Sequence, residues 1–215
     1  MKKRTKVRAL ISAALLLAFI LWTALVCIVD VQAIGPNGSS VGLAKLNGFV
    51  HSLSGVHFSL YIVTDWLGLV PIFVALGFAV VGLSQWIKRK SFLGVDKSLL
   101  ALGVFYIIVA TVYIAFESAT VNYRPILING YLEKSYPSST TLLVACVMPT
   151  AITQLNFRIK NKAVKRCVAA VIALFVAFMV VARLISGVHW VSDIIGGALL
   201  SAALVTAYNA ICSDI

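Results

Sequence analysis
The sequence predicts an all-α protein: a six-transmembrane-helix bundle with one further helix lying at the membrane interface between the first two spans. Composition is the first observation behind this. Of 215 residues, 61% are hydrophobic and 12% charged, where a soluble domain carries about 25% charged residues. The mean hydropathy of +1.01 agrees. Second, six stretches are long and apolar enough to cross a bilayer, which takes about 20 helical residues. Third, the segment between the first two spans has helical periodicity. A chain of this length fits one compact unit, so residues 1–215 are read as a single membrane domain.

The first span, 9–29, follows the basic start KKRTKVR. VQA at 31–33 resembles a signal-peptide cleavage site, but the apolar run is longer than a usual signal core and reads as an uncleaved anchor. The connection from Asp30 to Asp65 opens with the turn-rich IGPNGSS. Leu43, Leu46, Val50 and Leu53 then recur at helical spacing beside Phe49 and Val56, which predicts the interfacial helix. Gly42, Gly48 and Gly55 weigh against it. Spans at 66–87 and 98–117 follow. The fourth, 137–156, is the weakest, because it opens on polar Ser138–Thr141 and contains Pro149. Spans at 164–183 and 190–211 complete the set. Trp66, Trp86 and Trp190 fall near span ends, where an aromatic belt would place them. Cys27, Cys146, Cys167 and Cys212 lie in apolar segments without metal-ligand spacing and read as small buried hydrophobes.

Charge sets the orientation. With the N-terminus in the cytoplasm, that side receives Lys2, Lys3, Arg4, Lys6 and Arg8. It also receives Lys88, Arg89, Lys90 and Lys97, then Arg158, Lys160, Lys162, Lys165 and Arg166. Of the 18 basic residues, only Lys45, Arg124, Lys134 and Arg183 fall on the other side. The net charge of +11 is thus a positive-inside signature facing anionic headgroups, and it removes the case for a nucleic-acid partner. Both termini are placed in the cytoplasm of a bacterial plasma membrane.

The outer side carries the chemistry. In RLISGVHWVSD, 183–193, an arginine, a histidine and an aspartate sit at the mouth of an apolar span, where ionisable groups are rarely idle. His189 and Asp193 are spaced i, i+4, which puts them on one face of a helix. A histidine held by a carboxylate is a nucleophile or proton carrier. Arginine offers the fork that suits phosphate. Arg124 and the polar start of the fourth span, Ser138, Ser139 and Thr140, fall on the same side. Three distant segments therefore converge, and the expectation is phosphoryl chemistry at the membrane surface.

These residues resemble the motifs of the type 2 phosphatidic acid phosphatase (PAP2) superfamily. Arg183–Asp193 is similar to the third motif, SRxxxxxHxxxD, with Ala182 in place of serine. Arg124-Pro125 in VNYRPIL looks like the end of the first motif, KxxxxxxRP, and Pro137-Ser138 in YPSSTT like the start of the second, PSGH. The resemblance implies a PAP2-type bundle and a lipid phosphate substrate. His189 would be the nucleophile that forms a phosphohistidine, with Asp193 orienting it. Arg124, Arg183 and Ser138 would bind phosphate, and the backbone N–H groups around Ser139 and Thr140 would complete the cradle. No metal or other cofactor is called for, since neutral imidazole is itself a nucleophile. Pro137 suits the first turn of a helix whose N-terminus would face the anion.

Two positions depart from the motifs. Glu117 stands where the first motif has lysine, and Thr140 where the second has the histidine that protonates the leaving group. Losing such an acid typically lowers rates by ~10²–10⁴-fold. A good leaving group suffers least, which favours a diphosphate. Glu117 is the best replacement acid; Glu133, His51 and His57 are further outer-side candidates, the two histidines reading better as packing or surface residues. The competing expectations are a lipid phosphotransferase and a non-catalytic lipid-phosphate binder or transporter.

Overall fold
The structure, a computed structural model, describes residues 3–214. Lys2, counted above among the basic residues, lies outside them. Eight α-helices form: α1 (Lys3–Ile28), α2 (Ala44–Ser54), α3 (Phe58–Leu67), α4 (Leu69–Arg89), α5 (Lys97–Ser118), α6 (Ser139–Arg158), α7 (Lys162–Ile185) and α8 (Val191–Cys212). Six helical stretches are long and apolar enough to cross a membrane, with α3 and α4 together making one of them, Phe58–Arg89. The protein is a multi-pass membrane bundle.

The second span is where sequence and structure differ most. It begins at Phe58 rather than at 66 and is broken into α3 and α4 at Gly68. Asp65 makes an unattractive membrane residue on paper. In the fold it lies 3.8 Å from Arg183 of α7, so its charge is met by protein.

α6 is the central helix, packed against α4, α5, α7 and α8, while α1 lies along α8. Half of the apolar window of α6 is buried, against 6% for α3–α4. That explains its weak hydropathy: it is solvated by protein, and needs apolar side chains on fewer faces. Pro149 sits within it and the helix continues. Lipid faces the outer helices instead, through side chains such as Leu10, Phe73 and Leu174. Cys146 and Cys212 are buried as expected, but Cys27 and Cys167 are exposed, because they lie on the lipid sides of the peripheral helices α1 and α7.

The interfacial helix forms as α2 despite Gly48. Leu46, Phe49 and Leu53 point outward, whereas Asn47 is fully buried against the start of α8. Its Nδ2 donates to Ser192 Oγ at 2.9 Å, and its Oδ1 accepts the Ser192 N–H at 3.1 Å. Gly187, at φ 70°, lets the α7–α8 turn pass under the end of α2; a Cβ there would lie 2.0 Å from the Gly55 carbonyl oxygen.

Between α5 and α6 the chain makes a short hairpin. Arg124 N–H donates to Glu133 O and Ser135 N–H to Asn122 O, flanking a Tyr123–Lys134 bridge. Asn129 and Gly130 turn it at φ 50° and 82°, the positive values that tight two-residue turns require.

Candidate active site
The end of the bundle that holds the hairpin also holds the start of α6 and the α7–α8 turn. Their polar side chains meet there. His189 lies in the turn, one residue before the cap of α8, and is buried. It is therefore not on the helix that carries Asp193, as i, i+4 spacing suggested. Asp193 instead reaches back from the first turn of α8. Its Oδ2 accepts the Trp190 N–H at 2.9 Å, capping the helix, and lies 3.5 Å from His189 Nδ1. The pairing survives because the same carboxylate serves as cap and as neighbour of the imidazole.

Arg124, on the first arm of the hairpin, approaches the other ring nitrogen. Its Nη1 is 3.3 Å from His189 Nε2 and 3.4 Å from the Val188 carbonyl oxygen. A guanidinium only donates, so Nε2 is the acceptor and the ring proton belongs on Nδ1, facing Asp193. Burial holds the imidazole well below the usual histidine range, and the charges of Arg124 and Arg183 add to this. His189 is thus a neutral base with its lone pair on Nε2.

Arg183, in the last turn of α7, is buried. Its Nη1 donates to Thr64 Oγ1 at 3.2 Å and lies 3.8 Å from Asp65 Oδ1, while its guanidinium stands over the Tyr61 ring at 4.9 Å. Positions 61, 64 and 65 share one face of α3. Arg124 has its own carboxylate, Glu133, 3.0 Å from Nε but not aligned for a hydrogen bond. Among the described residues, four buried polar atoms here have no hydrogen-bond partner: Arg124 Nε, Arg183 Nε, His189 Nδ1 and Thr141 Oγ1. Buried donors are seldom left so. Arg124 reaches the imidazole and the Arg183 charge acts on it, so their open N–H groups are placed where an acceptor-rich anion would find donors.

Ser138 is the N-cap of α6, and its hydroxyl keeps an O–H to donate. Its Oγ accepts the Thr141 N–H at 3.4 Å, and its own N–H donates to the Asp193 carbonyl oxygen at 3.1 Å. Pro137 consequently precedes the cap and does not occupy the first helical turn, because the serine hydroxyl is the better partner for the open N–H groups. Ser139 opens the helix and lines a cleft with His189, Glu117, Lys134, Ser135 and Pro137. The cleft holds about 10 Å³, room for roughly one water molecule. Thr140 packs toward Gly68 at the α3–α4 break. Of the four replacement acids, Glu117 alone lines this cleft. Glu133 faces Arg124. His51 packs on Trp190 with Nε2 3.1 Å from Gly187 O, and His57 Nε2 lies 2.9 Å from Ser54 O.

Sequence reasoning missed the supports. Asn122 donates to Asp193 Oδ1 at 3.5 Å and to Ser192 Oγ at 3.3 Å, and accepts the Gly42 N–H at 3.1 Å. Trp190 is buried, not in an interfacial belt; its Nε1–H donates to the Tyr123 carbonyl oxygen at 2.7 Å and fastens the hairpin. Thr64 and Ser135 carried no signal of their own. The one available clue was their place beside charged motif residues.

Residues 111–214, from within α5 through α8, match the PAP2 superfamily. No curated protein sequence matches the chain. Among solved structures, the fold is similar to that of a transmembrane PAP2-type phosphatidylglycerolphosphate phosphatase from Bacillus subtilis. That structure is 20% identical with a TM-score of 0.62, over 95% of this chain and 96% of that one. At such identity the likeness is one of fold, and it extends the PAP2-type bundle to the helices before residue 111.

Proposed function
We propose that this chain, whose residues 111–214 belong to the PAP2 superfamily, is a membrane lipid phosphatase. It cleaves a lipid phosphate or diphosphate through a phosphohistidine. One observation carries this reading: a neutral buried imidazole lies between a carboxylate and a guanidinium, among buried donors that lack partners.

The substrate phosphate enters between Arg124 and Arg183, and Arg124 passes its hydrogen bond from His189 Nε2 to a phosphoryl oxygen. The freed lone pair on Nε2 attacks phosphorus; the N–P bond forms as the P–O bond to the leaving group breaks with its electron pair. Asp193 steadies the charge that develops on the imidazole. Water then attacks phosphorus, the N–P bond breaks, and inorganic phosphate leaves. Arginine and backbone N–H donors do most of the work, as phosphoryl transfer is chiefly a matter of positioning and charge. The N-terminus of α6 at Ser139 and Thr140 adds the positive end of a helix dipole. With threonine at 140, a diphosphate, whose leaving group needs no proton, is the preferred class.

The positive-inside charge pattern supports a site on the outer face and termini in the cytoplasm. Residues 1–215 act as one domain in this reading.

The test is phosphate release by the purified protein from phosphatidate, phosphatidylglycerophosphate and a polyprenyl diphosphate, against His189→Ala. Loss of the nucleophile should lower release at least ~10³-fold. Equal release by the variant across the panel would replace catalysis with simple lipid-phosphate binding. Faster cleavage of a lipid monophosphate than of its diphosphate would sink the substrate preference.

A further inference from the structure
The two arginines beside His189 do not meet a phosphate as free charges. Glu133 stands 3.0 Å from Arg124, and Asp65 stands 3.8 Å from Arg183. A phosphate monoester near neutral pH carries close to two negative charges. Two arginines that already face carboxylates leave that charge incompletely met.

Lys134 is the hairpin residue bridged to Tyr123, and it lines the cleft that ends at His189 and Ser139. Its Nζ donates to the carbonyl oxygens of Glu117 and Ser118 at 2.8 and 3.0 Å. These are neutral acceptors at the C-terminus of α5, and they leave the ammonium charge intact. Among the described residues, no carboxylate lies within ion-pair distance of Lys134. An ammonium has three N–H donors, and one remains. The carbonyls of α5 thus hold a cation, with a donor to spare, in the lining of the cleft. Glu117 lines the same cleft, and without Lys134 its carboxylate would face an incoming anion unopposed.

We infer that Lys134 is the third phosphate-binding cation of this site, contacting phosphoryl oxygens together with Arg124 and Arg183. This rests on the phosphatase reading above for its setting, but not for its test. Lys134 also closes the end of α5, so simple removal mixes binding with helix capping. The decisive variant moves the charge: Lys134→Met combined with Glu117→Lys places an ammonium on the neighbouring wall of the same cleft.

Two arms are measured on the purified full chain. The first is lipid phosphate hydrolysis. Lys134→Met should raise KM about 10-fold or more with kcat little changed, as loss of a charge-assisted contact made in ground and transition states alike. Lys134→Arg should stay within about 3-fold of the wild type; the double variant is read by anion binding, where loss of the Glu117 carboxyl as a proton donor has no effect. The second arm is equilibrium binding of orthovanadate, a free phosphate-like anion, with the same ranking expected and most of the affinity recovered in the double variant. Wild-type KM and vanadate affinity in Lys134→Met would overturn the proposal. So would a weakened Lys134→Met whose vanadate binding Glu117→Lys leaves unrescued, since that marks a helix cap alone. If the wild type releases no phosphate but binds vanadate with this ranking, the phosphatase reading falls and the third cation stands.

Discussion
Both ends of the helix bundle bury polar side chains, and they treat them in opposite ways. At the end away from His189, Gln154 of α6 is fully buried and saturated. Its Nε2 donates to the Ser98 carbonyl oxygen at 2.8 Å and to the Tyr208 hydroxyl, while its Oε1 accepts from Ser98 and Arg158. Beyond it, Asp96 takes hydrogen bonds from Gln85 and Arg89 at 2.7 and 2.9 Å. The Gln85 bond first, and the arginines after it, hold its carboxyl below the usual range. Among the described residues, the single orphan there is Arg158 Nη2, 3.8 Å from Asp96 Oδ2. At the other end, the Nε atoms of Arg124 and Arg183, His189 Nδ1 and Thr141 Oγ1 lack a hydrogen-bond partner among the described residues. The difference separates glue from receptor. A saturated network has nothing left to offer a ligand, whereas an unsaturated one of charged donors keeps N–H groups that an anion can use.

The largest effect that tests this contrast comes from Arg183→Ala, which should lower kcat/KM for lipid phosphate by ~10³-fold or more. An unchanged rate would break the distinction outright. The counterpart at the other end is Gln154→Leu. It should destabilise the protein by about 1–3 kcal/mol, through the partners it orphans, and leave kcat/KM within about 3-fold. Thermal unfolding read beside turnover checks both halves.

A finer cut falls between the ends. Thr64→Val removes the hydroxyl that receives Arg183 but no charge, and should cost about 10-fold in kcat/KM. Thr64→Ser should restore it, because the oxygen returns; a failure of serine to rescue would reassign Thr64 to packing.

The smallest effect is in pH. Burial depresses the His189 pKa in the fold. Below about pH 6.5 the unfolded chain therefore gains a proton that the folded chain refuses. Stability falls as pH drops through that value, by at most about 1.4 kcal/mol per pH unit from this group. His189→Gln should flatten the change in Tm between pH 7.5 and 5. An equal slope in the variant would show that His189 is already charged in the fold.

Much of this was legible before folding, and particular residues show why. Arg183, His189 and Asp193 lie within one short stretch, so spacing alone links them. Arg124 and Ser138 join through topology, since helices of alternating direction return those segments to one end. Thr64, Asn47 and Asn122 were not legible. They are uncharged, common, and lie far along the chain from what they hold; Thr64 is 119 positions from Arg183. Trp190 was misread because an indole at a span end has two ordinary uses, and only its bond to Tyr123 selects between them.

The sequence by itself determined the all-helical membrane class, the six apolar spans and the charge asymmetry, and it marked Arg124, Arg183, His189 and Asp193 as candidate site residues. These depend on hydropathy and local spacing, which act along the chain. Tertiary structure alone decided that Asp193 caps α8 while facing His189, that Arg183 is held by α3, that Ser138 is engaged as a helix cap, and that Lys134 lines the cleft. Each depends on directional contacts between segments distant in sequence. Such contacts form only after the helices have packed, when buried donors and acceptors must find partners within reach or remain open for a ligand.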